Sequence, residues 1–185
     1  LLSKIYETID TDFDIKNHNQ SVIRSTSLHN MKDDQDEIYY TNQYWQHVEM
    51  NLNKLAVLKS GKFLDLGCGQ GRLTFPLAEW ADNAHITGVD LSNLAIQSAK
   101  DYSANITNNI EFLCADILDY LSNIESNSMD AVFFLEVSFF LPNYEVVLSE
   151  IKRVLKTNGV LFASFRSRYF NALCCVQDSL WNSTE

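Results

Sequence analysis

A chain of 185 residues is long enough for one domain with a full core, and 46% hydrophobic against 21% charged residues is an ordinary globular balance. The formal charge is -10 and the lysines and arginines are scattered, so no basic stripe exists to neutralise a nucleic-acid backbone and a small substrate fits better. No apolar run approaches the roughly 18 residues of a membrane span, and the N-terminus LLSKIYETIDTDFD lacks a basic region leading into an apolar one. A cytoplasmic protein without a membrane partner is expected.

Residues 1–38 are polar and acid-rich and read as an N-terminal arm or lid. From Tyr39, apolar residues at Tyr44, Val48, Leu52 and Leu55 recur at helical spacing, and Lys59, Ser60 and Gly61 are expected to end that helix. Lys62 to Leu66 reads as a buried strand, followed by a turn carrying Gly67, Gly69 and Gly71, half of the chain's 6 glycines. A helix follows, with Leu73, Leu77 and Trp80 on its apolar face and Pro76 near its start. A second strand, His85 to Val89, leads to Asp90. Ser92 is expected to cap a helix with Leu91, Ala95, Ala99 and Tyr102 on its face.

The third strand spans Asn109 to Cys114 and runs into Ala115, Asp116 and Ile117. Met129 to Leu135 is a continuous apolar run, as a central parallel strand requires, and opens into an aromatic loop from Glu136 to Pro142. Asn143 is expected to cap a helix bearing Tyr144, Val147, Leu148, Ile151, Val154 and Leu155, stopped by Asn158 and Gly159, with a fifth strand from Val160 to Phe165. Residues 166–185 read as a C-terminal segment that forms a helix or begins a further region, and flanking chain is expected beyond both ends. Strands alternating with helices predict an α/β fold with an open, mostly parallel, Rossmann-like sheet that binds ligands at the strands' carboxyl ends. Asp65, Asp90, Asp116 and Glu136 fall at those ends. Cys68, Cys114, Cys174 and Cys175 show no CxxC spacing, which predicts reduced thiols and no metal.

The glycine turn in KFLDLGCGQGRLT is GxGxG, not the GxGxxG that receives a pyrophosphate. Asp65, two residues before its first glycine, would repel a pyrophosphate and suits a cationic or hydroxyl-bearing ligand. With GVDLS around Asp90, CADI around Asp116 and DAVFFLEV at the fourth strand, residues 39–165 resemble the class I S-adenosylmethionine-dependent methyltransferases, in the small-molecule group. The resemblance implies strand order 3-2-1-4-5, with strands six and seven of the family not evident here. It also implies S-adenosylmethionine as cofactor and S-adenosylhomocysteine as product.

By the same resemblance Asp65 lies by the amino-acid end of the cofactor, the turn of Gly67, Gly69 and Gly71 wraps the cofactor, and Asp90 holds the ribose hydroxyls. Leu91 then packs on the adenine, Asp116 and Ile117 bind its edge, and Leu135 lies at the end of strand four. Aromatic walls suit a cationic sulfonium, so Tyr39, Tyr40, Tyr44, Trp45, Phe139 and Phe140 are candidate pocket walls. Glu136 is the candidate general base, with His29 and His47 as alternatives upstream. Methyl transfer to a nitrogen, oxygen or carbon atom of a small molecule is therefore expected. The other reading is a catalytically idle cofactor-binding or scaffold domain. An uncovered fifth strand would leave an apolar edge able to pair with a second copy.

Overall fold

The computed structural model describes residues 35–104, 109–141 and 143–165. Helix α1 (Gln35–Lys54) leads into β1 (Ser60–Leu66), α2 (Thr74–Trp80), β2 (Asn83–Asp90) and α3 (Asn93–Ser103). Then come β3 (Ile110–Cys114), α4 (Ile117–Ser122), β4 (Met129–Phe134), a 3-10 turn (Ser138–Phe140), α5 (Tyr144–Val154) and β5 (Leu155–Ala163). The five strands form one parallel sheet in the order β3-β2-β1-β4-β5, as the resemblance implies.

Successive residues of the central strands point to opposite faces, and each face has its own core. On one, Leu64, Leu66, Val132 and Phe134 meet Ile117 and Leu121 of α4 and Val147, Ile151 and Val154 of α5. On the other, Phe63, Ile86, Ala131 and Phe133 meet Val48 and Leu52 of α1 and Leu77, Ala78 and Trp80 of α2. Burying a side chain such as Ile151 or Leu52 contributes about 1.5–3 kcal/mol. A smaller cluster, Cys68, Ile96, Ala99 and Phe112, seats α3 beside the glycine turn. No helix among the described residues is long and apolar enough to cross a membrane.

Several boundaries depart from the sequence reading. Helix α1 stops at Lys54, with Ala56 at φ 51°, so Leu55 is exposed and Ser60 and Gly61 belong to β1. Gly61 is still needed, because a Cβ there would collide with the carboxylate of Asp130. On α3 the buried positions are Ile96 and Ala99, whereas Leu91 lies outside the helix and is exposed. Ser92 does cap α3, accepting from the Ala95 amide, but Asn143 stands at the start of α5 without a side-chain cap.

Helix α5 ends at Val154 and β5 begins at once. Asn158 and Gly159 lie in a bulge: β4 advances from Met129 to Ala131 while β5 advances from Leu155 to Val160. The bulge brings Lys156 Nζ to 2.8 Å from both oxygens of Asp130, which also accepts from the Lys62 amide at 2.9 Å. Burial opposes the Asp130 charge, but these hydrogen bonds and the two lysine charges outweigh it and hold the carboxyl below its ordinary range.

Candidate active site

The carboxyl ends of β1, β2, β3 and β4 meet along one edge of the sheet. Gly67, Gly69 and Gly71 have φ of 77°, 53° and 89°, the left-handed region that side chains avoid. Their surroundings separate their roles. A Cβ on Gly67 would run into Val137, and one on Gly71 would run into Phe75 and Phe112, whereas one on Gly69 would meet nothing within 4 Å. Gly67 and Gly71 are therefore packing requirements, whereas at Gly69 the turn faces open space.

Asp90 ties this turn to the next strand end. Its Oδ2 accepts from the Gly69 amide at 2.8 Å and its Oδ1 from the Ser92 amide at 2.8 Å. A carboxylate can accept about four hydrogen bonds, so both oxygens keep capacity for a ligand's hydroxyls. Beside it Leu91 is 52% exposed. Asp116 caps α4, its Oδ1 accepting from Leu118 N at 2.8 Å and Asp119 N at 3.2 Å, and Ile117 is buried in the first turn. The sequence reading had no helix at Ile117–Ser122.

Asp65 is 3% exposed, and its Oδ2 accepts from the Thr74 hydroxyl at 2.6 Å. Burial pushes its carboxyl up to about 7; the Thr74 bond opposes this and the nearby Asp90 charge adds to it. Burial, together with Asp65 and Asp90, also pushes the Cys68 thiol well up, which makes it an unreactive packing group.

Glu136 follows β4 at φ 58°, a left-handed backbone in a residue that is not glycine. Its Oε1 accepts from the Tyr44 hydroxyl at 3.0 Å and from the Ser164 hydroxyl at 2.9 Å. Burial raises the Tyr44 phenol; Ser164 opposes that and Glu136 reinforces it. The two upstream and downstream candidates, α1 and the end of β4, thus meet through Tyr44 and Glu136.

The remaining candidates scatter. Trp45 and Leu135 are half-buried against the α1–α2 core, and Tyr39 and His47 are exposed on α1. Phe139 and Phe140 lie together, ring centroids 4.3 Å apart, in the 3-10 turn. Tyr40 lies in α1; its side chain and the whole of His29 lie outside the described residues. Sequence reasoning missed Thr74 and Ser164. The visible signal was a lone hydroxyl at the start of the helix after the glycine turn, and another at the end of β5, the neighbour of β4. Among the described residues no cluster of His, Cys, Asp or Glu is placed to hold a metal.

An open parallel sheet with a glycine turn and carboxylates at its strand ends defines a nucleotide-type α/β binding fold. Residues 64–163 match the methyltransferase domain family, and the chain belongs to it. S-adenosylmethionine is the cofactor of that family. A sterol 24-C-methyltransferase of Gibberella zeae is 32% identical over 72% of this chain and 35% of its own length. A ubiquinone biosynthesis O-methyltransferase of Coxiella burnetii is 32% identical over 65% of this chain and 50% of its own. The chain thus spans a third to a half of these relatives. Among solved structures, coclaurine N-methyltransferase bound to N-methylheliamine and S-adenosylhomocysteine aligns with TM-score 0.54 and 26% identity over 68% of this chain and 34% of that one. The [4+2]-cyclase SpnF aligns with TM-score 0.54 and 26% identity over 63% and 42%.

Proposed function

We propose that this chain carries S-adenosylmethionine-dependent methyl transfer to a small-molecule acceptor. The observation that carries the reading is the open position beside Gly69, bracketed by Asp90 on the next strand and by the exposed Leu91. The residues fit the cofactor. Asp90 would take the ribose hydroxyls, Leu91 and Asp116 would flank the adenine, and buried Asp65 would face the cationic amino-acid end. When bound, the cofactor supplies an electrophilic methyl group, so the chain's own residues need only align the acceptor and exclude water.

Glu136 would accept the proton that an amine or hydroxyl acceptor must lose, and the hydrogen bond from Tyr44 to its carboxylate supports that reading. The named relatives include a C-, an O- and an N-methyltransferase, so nitrogen, oxygen and carbon acceptors are all carried in the reading. The net charge of -10 disfavours a phosphodiester substrate. Cys68 and Cys114, both free, favour a reducing compartment such as the cytoplasm.

A second reading is an idle cofactor-binding or scaffold domain, kept open because the fold does not by itself fix methyl transfer: one protein it resembles is named as a cyclase. Calorimetry would show S-adenosylhomocysteine binding under both readings. Incubation with S-adenosylmethionine and a panel of small amines, phenols and carboxylic acids decides between them: S-adenosylhomocysteine accumulates only with an enzyme and its acceptor. Absence of cofactor binding would overturn both.

A further inference from the structure

Ser164 spends every polar group it has on the end of β4 and the loop that follows it. Its amide donates to Phe134 O at 3.2 Å and its carbonyl accepts from the Ser138 hydroxyl at 3.0 Å. Its hydroxyl accepts from the Glu136 amide at 2.7 Å and donates to Glu136 Oε1 at 2.9 Å. The amide and carbonyl bonds would suffice to fasten the end of β5 to β4, and any residue could supply them. The hydroxyl does something else, since it fixes both the backbone and the carboxylate of a single residue.

That residue is held where a side chain is disfavoured. At φ 58° a glycine would be the unstrained choice and would give Ser164 the same amide. Keeping a glutamate there makes sense when its carboxylate is needed at that spot. Tyr44 reaches the same Oε1 from α1, at 3.0 Å, so the oxygen is fixed between two hydroxyl donors borne on elements far apart in the chain. We propose that Ser164 is a positioning residue for the methyl-transfer reaction, clamping Glu136 in its left-handed conformation so that the carboxylate faces the acceptor's departing proton. The proposal rests on the reading of Glu136 given above.

Three variants test it: Ser164→Ala, Ser164→Thr and, as reference, Glu136→Gln. With an acceptor from the panel, Ser164→Ala lowers kcat about 10–100-fold, the scale of a small misplacement of a reacting group. Its KM and its S-adenosylhomocysteine affinity stay within about twofold, and Ser164→Thr, which keeps the hydroxyl, recovers most of the loss. The acceptor-free arm follows the 13C resonance of the Glu136 carboxyl in the S-adenosylhomocysteine complex, identified by its disappearance in Glu136→Gln. It moves in Ser164→Ala and holds its place in Ser164→Thr. An unmoved resonance in Ser164→Ala, or equal losses for the alanine and threonine variants, overturns the clamp. No turnover by the wild type with any acceptor counts instead against the proposed function, and the carboxyl resonance then decides the clamp by itself.

Discussion

At Asp65 burial works directly against the carboxylate charge. Its carboxyl titrates at about 7 in the folded chain against 3.8 when free, because burial disfavours the charge. Between those values the native state binds more protons than the unfolded state, so stability falls as pH rises from about 4 to 7 and levels off above. The ceiling on the loss is roughly 4 kcal/mol, from about 1.4 kcal/mol per pH unit. Urea midpoints across that window should decline for the wild type and stay flatter for Asp65→Asn, which retains an acceptor for Thr74. Parallel curves for the two proteins would remove Asp65 as the cause. A cationic cofactor favours the charged form, so its affinity is predicted to rise over the same window. Asp90→Ala should weaken S-adenosylhomocysteine by about 1.5–3 kcal/mol, through the ribose contacts and through the lost bond to the Gly69 amide. Gly69→Val should be worse, since it combines a branched side chain with φ 53° and fills space that is open beside Gly69. Calorimetry that finds Gly69→Val binding normally would undo this reading of the turn.

The elements that were legible in the sequence are those whose burial is continuous. β1 and β4 lie between neighbours on both sides and under helices on both faces, so Ala131 to Phe134 form an uninterrupted apolar run and Phe63, Leu64 and Leu66 one broken only by Asp65. Helix α4 was invisible because its 6 residues bury only Ile117 and Leu121, too few to establish a period. The α5–β5 junction was misplaced because Asn158 and Gly159, which look like a helix stop, serve a bulge instead. Thr74 and Ser164 were missed for a different reason. Each matters through one partner, Asp65 and Glu136, and only the fold brings the pairs together. Helix α1 belongs to the same argument, since Tyr44 ties it to the end of β4. Residues 1–38 precede and begin that helix, and we predict that they act as a lid ordered by ligand. Limited proteolysis should cleave this arm more slowly when S-adenosylhomocysteine is present; equal rates would count against a lid.

At the scale of the whole molecule, the sheet that the described residues form has β3 and β5 at its edges. Along β5, Leu161 is 40% exposed, and Phe165 just beyond it is 54% exposed, its ring 5.8 Å from that of Tyr144. An apolar edge strand with unpaired backbone groups is a template for another strand. Charge repulsion between chains of net charge -10 opposes that pairing, but it is screened beyond about 8 Å in physiological salt, whereas backbone pairing acts at contact. We therefore predict that two chains associate along β5, or that the stretch holding Phe170, Leu173, Val176 and Leu180 covers the edge. Light scattering on the 185-residue chain in low and physiological salt separates the two. Association that grows with salt and is abolished by Leu161→Lys locates the contact at β5. A monomer at both salts, with the β5 amides protected from hydrogen exchange, means that the chain closes its own edge. A monomer with rapidly exchanging β5 amides would sink both versions, because the edge would then be open to water and still attract nothing.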